Sequence, residues 1–273
     1  MNTINALQST SGTIALAGAG KMGGAMLTGW LAGGLDASRV MVVEPHPSDE
    51  IKALAAKGIR LNPNDAATAD TLVLAVKPQM FREAGPGLKP LVGPFTLVVS
   101  IMAGTNIAAL EQVCGGMVVR AMPNTPAAIG RGITVAVAAK NVSAAQRATA
   151  DALLRATGSV EWVEDESLMD AVTAVSGSGP AYVFLLAEEL ARAGVEAGLP
   201  AALATKLARE TVAGSGELLH RSDLDSATLR QNVTSPGGTT AAALEVLMAK
   251  DGLQPLMIRA IAAATKRSKE LAK

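Results

Sequence analysis

Aromatic side chains are nearly missing from this chain of 273 residues: Trp30, Phe81, Phe95, Trp162, Tyr182 and Phe184 are the full set. Single-stranded nucleic acid is held on platforms of stacked rings, and rings this sparse supply none. An excess of positive charge is missing too. Lys and Arg number 24 against 24 Asp and Glu, a formal net charge of +0, which removes the attraction a general polyanion binder needs. Nucleic acid is therefore not expected as a partner. One cysteine, Cys114, cannot close an intramolecular disulfide and has no metal-ligand spacing around it; it reads as a small buried apolar residue. The two histidines, His46 and His220, stand apart with no obvious acidic orienter, so neither a hydrolytic triad nor a metal cluster is expected. His220, followed by Arg221, reads as a favourable charge at a helix end.

Met1–Gly12 has neither a basic residue nor an apolar run, so no leader or transit peptide is visible and a cytoplasmic location is expected. The longest uncharged stretch, Pro90–Leu110, is interrupted by Pro94, Gly104 and Asn106. It reads as a strand and a turn, and a membrane is not expected.

The length suggests two domains. In the first part of the chain short β-branched runs alternate with Ala-rich segments of helical length, the pattern of βαβ units on a parallel sheet. Strands are expected over Thr13–Ala17, Val40–Glu44, Thr71–Val76, Thr96–Ile101, Met117–Ala121 and Ile133–Val137, with helices over Lys21–Ala32, Ser48–Lys57 and Gln79–Leu88. From about Glu164 strands vanish, and Ala181–Ala197 and Ala201–Leu219 carry apolar residues at helical spacing. The expected architecture is α/β: an N-terminal Rossmann-type dinucleotide-binding domain over 1–163, then an all-helical domain over 164–273. Small residues dominate these helices and aromatics are few, so a partner chain is expected to complete that core.

The strongest local signal is Gly18-Ala19-Gly20-Lys21-Met22-Gly23, entered from the apolar strand Ile14–Ala17 and leading into a helix. Gly18 permits the tight turn, Gly20 lets the backbone approach a pyrophosphate, and Gly23 lets helix and strand pack closely. The helix N-terminus supplies the anion site. Glu44, 21 residues after Gly23, stands where an acid accepts from an adenosine ribose and would repel a 2′-phosphate. The nearest cations, His46 and Lys52, are not the arginine that clamps such a phosphate, so the residues lean towards NADH over NADPH. The alternative is a solvated acid before the turn Pro45-His46-Pro47. Val76-Lys77-Pro78 closes another strand, which places Lys77 either at the cofactor or simply in solvent. Met122-Pro123-Asn124-Thr125-Pro126 follows a further strand end, as a binding loop or a plain turn.

Two clusters precede helical patterns in the second part: Ser176-Gly177-Ser178-Gly179-Pro180 and Ser235-Pro236-Gly237-Gly238-Thr239-Thr240. A helix start with bare Gly237 and Gly238 and the hydroxyls of Ser235, Thr239 and Thr240 suits a carboxylate. Capping alone needs one hydroxyl.

Together with Arg120-Ala121 before the Met122 loop and Ala181-Tyr182 after Pro180, these motifs resemble the pyrroline-5-carboxylate reductases over nearly the whole chain. The resemblance implies a Rossmann domain followed by a helical dimerisation domain that intertwines with a second subunit, the dimers assembling into larger rings. It places NADPH or NADH on the glycine loop (Gly18, Gly20, Lys21, Met22, Gly23) and beside Glu44, Val76, Lys77 and Pro78, with Asn124 and Thr125 at the nicotinamide end. It gives the carboxylate of a five-membered cyclic imine to Ser235, Gly237, Gly238 and Thr239, and the ring nitrogen to the Thr240 hydroxyl as the catalytic contact. Ser178 and Gly179 would border the same pocket, with the partner subunit as a candidate donor. Many family members carry small or basic residues after the second strand, and Glu44 departs from that. The 3-hydroxyacid dehydrogenases, or another imine reductase, are the rival enzymes of the same plan; the former carry a catalytic lysine in a helix after their glycine loop, and Ala181–Ala197 has none. A cofactor-binding module without catalysis would have little reason to keep Ser235–Thr240.

Overall fold

The computed structural model describes residues 7–271 except Ser9 and Ala66. The reading of Met1–Gly12 therefore falls mostly outside the described residues. Two compact units emerge: the chain up to Gly177 together with its end from Thr265, and Ser178–Ala264.

The first unit is built on eight strands: β1 Ile14–Ala17, β2 Val40–Val43, β3 Arg60–Leu61, β4 Ala69–Leu74, β5 Val92–Ser100, β6 Met117–Met122, β7 Gly132–Ala138 and β8 Gly158–Trp162. They lie in the order β3-β2-β1-β4-β5-β6-β7-β8, parallel throughout except for the antiparallel pair β6–β7. The order of the first six is that of a doubly wound dinucleotide-binding sheet, whose direction of winding reverses between β1 and β4. Helices α1 Lys21–Ala32, α2 Asp49–Ala55, α3 Pro78–Leu88, α4 Ile107–Val113 and α5 Ala144–Arg155 accompany the strands.

Alternate residues of β1 enter different cores, as the two-residue period of a strand requires. Ile14 and Leu16 pack with Leu27, Trp30 and Leu153, whereas Ala15 and Ala17 pack with Leu72, Phe81 and Leu110. All four residues of β1 are buried, which explains why the run is continuously apolar rather than alternating. Trp30 is fully buried, and its indole Nε1 donates to the Leu153 carbonyl at 2.8 Å, so the one large polar handle of this core is satisfied. Cys114 is buried as expected, and desolvation pushes its thiol pKa up.

Helix α5 starts from a reciprocal cap: Gln146 N–H donates to Ser143 Oγ at 3.3 Å, and Ser143 N–H to Gln146 Oε1 at 3.0 Å. Replacing Ser143 with alanine should cost about 1 kcal/mol, read as a lowered urea midpoint at unchanged m-value.

The six expected strands are present with ends that coincide or differ by at most four residues, and α1 spans Lys21–Ala32 as expected. Strands β3 and β8 and helices α4 and α5 add to the expected set. The Pro90–Leu110 stretch forms β5, a turn and the start of α4. No helix among the described residues is long and apolar enough to cross a membrane.

Strands end at Trp162, close to the change of texture at Glu164. A short helix, α6 Met169–Val172, then passes into a π-helical turn, Thr173–Gly177. The second unit is helical, with α7 Gly179–Glu196, α8 Ala201–Arg221, α9 Ser226–Asn232, α10 Thr239–Leu247 and most of α11 Leu253–Leu271. Helices α7 and α8 meet through small residues, where Gly194 faces Ala204 and a Cβ on the glycine would lie 3.1 Å from that of the alanine. The larger side chains find no such cover: Phe184, Leu186, Leu218 and Ile258 are each more than half exposed. An apolar surface this extensive belongs to an interface.

Candidate active site

The site of the first unit follows from the sheet order. Because β2, β1 and β4 are neighbours and parallel, the segments after their carboxyl ends converge. They line a cleft of about 1160 Å³ that brings together Gly18, Gly20, Lys21, Glu44, Val76 and Lys77. That is room for a dinucleotide.

The glycine loop is built as its spacing requires. Gly18 has φ +90°, and its backbone passes so close to β4 that a Cβ would lie 2.7 Å from the Ala75 carbonyl carbon. At Gly20 a Cβ would meet nothing within 4 Å, so the loop is open on the side where a pyrophosphate would lie. A Cβ on Gly23 would overlap the Gly18 carbonyl oxygen, which is why helix and loop can close on each other only with glycine there. Helix α1 has Gly20 as its N-cap and no side-chain cap, leaving first-turn N–H groups for an anion. These residues fit a dinucleotide.

Glu44 is fixed more firmly than its place after β2 suggests. Its Oε2 accepts from the Ala19 N–H at 2.8 Å and its Oε1 from the His46 N–H at 3.0 Å. Its backbone is held as well: Glu44 N–H donates to Asn62 Oδ1 and Asn62 Nδ2 donates to the Glu44 carbonyl, both at 2.9 Å. His46 lines the cleft, but Lys52 does not and pairs with Asp49 instead. Asn62 escaped sequence reasoning. Its available signal was the turn-forming run Asn62-Pro63-Asn64, which says nothing of Glu44.

Lys77 is exposed at the cleft and serves as N-cap residue of α3. Met22, Gly23, Pro78, Asn124 and Thr125 are not among the cleft-lining residues. Gly23 acts behind the loop. Asn124 Oδ1 accepts from the Ile133 N–H at 3.0 Å, tying the Met122 loop to the start of β7, and it is Ala127, Ala128 and Gly130 beyond it that reach the cleft. Arg120, on β6 just before that loop, is buried with its Nη1 2.9 Å from Glu166 Oε1, which also accepts from the Ile107 N–H at 2.8 Å.

The first Gly/Ser cluster divides between a π-helical turn and a helix start. Gly177 packs on Met122, whose methyl a Cβ would overlap, while Ser178 precedes α7 in helical conformation and makes no side-chain cap. Ser176 Oγ is buried without a hydrogen-bond partner among the described residues. In the second unit Ser235–Thr240 forms the turn into α10. Gly237 has φ +67°, Gly238 N–H donates to the Ser235 carbonyl at 3.0 Å, and Gly238 is the N-cap with no side chain capping the helix. The hydroxyls of Ser235, Thr239 and Thr240 are thus not consumed as caps. No group of three or more His, Cys, Asp or Glu among the described residues is placed to hold a metal ion.

A doubly wound sheet with an open glycine loop at its switch point, followed by a helical unit with uncovered apolar faces, places the chain among dinucleotide-binding proteins that associate through a helical unit. The family model for pyrroline-5-carboxylate reductase dimerisation matches residues 166–271, and that for NADP oxidoreductase, coenzyme F420-dependent, matches residues 13–104. The pyrroline-5-carboxylate reductase of Pseudomonas aeruginosa is 41% identical over 264 residues, spanning 95% of this chain and 96% of its own. This chain belongs to the pyrroline-5-carboxylate reductase family. The enzyme of that name from Pisum sativum is 38% identical over 270 residues, with 96% and 97% of the two chains covered. Among solved structures, the Coxiella burnetii pyrroline-5-carboxylate reductase superposes with a TM-score of 0.88 at 35% identity, covering 97% of this chain and 100% of the other. The Plasmodium falciparum pyrroline carboxylate reductase, solved with NADP bound, gives 0.80 at 30% identity and covers 96% and 99%.

Proposed function

We propose that the chain reduces 1-pyrroline-5-carboxylate to L-proline with a reduced nicotinamide dinucleotide, the last step of proline biosynthesis. The observation that carries this reading is the open glycine-loop cleft of the first unit, joined in one chain to a helical unit of the family's dimerisation type. The bound dinucleotide supplies the hydride that the imine carbon receives. The protein's part is binding and orientation. Residues 1–163 hold the dinucleotide, with Gly18, Gly20 and the α1 N-terminus at its phosphates and Lys77 beside it. Met22, Gly23, Val76 and Pro78 shape that site, and Asn124 and Thr125 belong to its nicotinamide end.

Residues 164–273 serve the substrate and the dimer. Ser235, Gly237, Gly238 and Thr239 hold the substrate carboxylate, Thr240 donates to or accepts from the ring nitrogen, and Ser178 and Gly179 border the imine. The homodimer forms through the uncovered faces of α7, α8 and α11, and such dimers assemble into a larger ring. The enzyme works in the cytoplasm.

Glu44 favours NADH. A carboxylate held by two backbone N–H groups keeps acceptor positions free for ribose hydroxyls and repels a 2′-phosphate. The test is the initial rate of NADH and of NADPH oxidation, in parallel, with pyrroline-5-carboxylate as substrate and proline identified as product. A higher kcat/KM with NADH is expected. A higher one with NADPH removes the role given to Glu44, and no turnover with either, despite dinucleotide binding, removes the proposed reaction.

A further inference from the structure

We propose that Asn62 is a positioning residue for dinucleotide selection, acting by holding Glu44 rather than by touching the nucleotide. The inference rests on the reading of Glu44 as the discriminating acid.

Asn62 is the one non-glycine among the described residues with positive φ, at 46°. Left-handed backbone is costly for most L-residues and least so for asparagine and aspartate. The conformation has a local use. Strand β3 is only two residues long, paired through Met41–Arg60 and Val42–Leu61, and Asn62 N–H then donates to the Val42 carbonyl at 2.8 Å. The left-handed residue turns the chain there, so its side chain comes back across the end of β2.

What the side chain does is unusual in being spent on a single residue. Its carboxamide accepts from Glu44 N–H and donates to the Glu44 carbonyl, closing a two-bond ring that stands in for one more pair of a sheet ladder. Beyond this point β2 has no neighbouring strand on that side among the described residues. Without the ring, the backbone that carries the Glu44 carboxylate loses two of its ties, and a shift there would move the carboxylate away from its two N–H donors, on Ala19 and His46, now at 2.8 and 3.0 Å. Asn62 does not itself line the cleft, whereas Glu44, Ala19 and His46 all do. The asparagine therefore acts at one remove, and aspartate would not replace it, because an ionised carboxylate cannot donate to the Glu44 carbonyl.

The test uses the full-length protein and four forms: wild type, Asn62→Gly, Glu44→Ala and the double variant. Glycine accepts the left-handed backbone and lacks only the amide, so a loss of fold is not built into the substitution. Calorimetric titration with NAD⁺ and with NADP⁺, without substrate, gives the ratio of their dissociation constants, and initial rates give KM and kcat for the reduced forms. Asn62→Gly should narrow the preference for NAD⁺ by about three- to tenfold, in line with hydrogen bonds lost at an exposed site, with the change appearing in KM rather than in kcat. In the Glu44→Ala background the same substitution should leave the ratio unmoved. An equal narrowing in both backgrounds overturns the proposal, because Asn62 would then act on the nucleotide directly. A ratio that Glu44→Ala shifts and Asn62→Gly does not overturns the proposal while sparing Glu44. A ratio that Glu44→Ala leaves unchanged overturns the reading of Glu44 and this inference with it.

Discussion

Gly23→Ala should lower the thermal midpoint of the ligand-free protein and weaken dinucleotide binding about a hundredfold. The added methyl would overlap the Gly18 carbonyl oxygen and stand 3.0 Å from Ala75 Cβ. Neither neighbour is the end of a flexible side chain, so helix α1 must back away from the loop. Overpacking of this kind costs about 1–3 kcal/mol, occasionally more, and the upper part of that range, lost from binding, is about a hundredfold in affinity. Gly20→Ala separates the two effects, since its methyl enters open space within the cleft. That variant should keep the wild-type melting temperature and still bind the dinucleotide more weakly, because the methyl would occupy the approach proposed for the pyrophosphate. Both quantities are read by thermal melts and calorimetric titration. A Gly23→Ala protein with unchanged melting temperature would mean that α1 is not packed on the loop through this glycine.

This dependence on a bare hydrogen atom is the part of the site most legible in sequence. Each glycine of the loop marks a place where backbone meets backbone or a phosphate, and the spacing survives translation into structure because strand, turn and helix are consecutive in the chain. Helix α1 is bounded by Gly20 and Gly33 and could be read to the residue. Glu44 and Lys77 were legible for a related reason: ends of parallel strands next to β1 face the same cleft.

Other features depend on pairings that no local pattern carries. Two residues, Arg60 and Leu61, are too few for a period, so β3 was invisible and Asn62 with it. Strand β8 has Val160 as its one buried residue, between exposed Ser159 and Glu161, and so shows no apolar run. Helix α5 did carry a signal, the Ser143–Gln146 capping box, within a segment whose Ala-rich composition marks no boundary. The cluster Ser176-Gly177-Ser178 reads as a break between helices because glycine and serine disfavour helix interiors. It is instead a π-helical turn and the entry to α7, and the glycine is explained by Met122, a contact some fifty positions away in sequence. The helical unit was legible in kind, and its small residues pack α7 on α8 as their size suggests. In the proposed homodimer, Phe184 and Ile258 are covered by the second chain, which no pattern within one sequence displays.

Thr240→Ala should lower kcat/KM by about one to two orders of magnitude with little change in melting temperature. Thr240 is the second residue of α10, a position where a side chain contributes little to the helix, and the N-cap is a glycine with no side-chain hydrogen bond. No hydrogen bond ties the Thr240 hydroxyl to another of the described residues, so within the chain the substitution orphans nothing described. The chemistry is a different matter. In the proposed reaction the ring nitrogen passes from a planar cation to an amine as the imine carbon is reduced, and a Thr240 hydroxyl at that atom would hold the ring in one orientation throughout. One hydrogen bond present in the transition state is worth about 1.4–2.7 kcal/mol when its partner carries charge, which converts to ten- to a hundredfold in rate. Thr240→Ser, which keeps the oxygen, should recover most of the rate, whereas Thr240→Val, which keeps the shape, should not. Saturating the carboxylate site should not rescue the alanine variant, because in the proposed binding mode Ser235, Gly237, Gly238 and Thr239 hold the substrate independently of that oxygen. Steady-state kinetics of the three variants at fixed dinucleotide concentration make the comparison, and an unchanged kcat/KM in Thr240→Ala would remove Thr240 from the mechanism and leave orientation to the carboxylate loop alone.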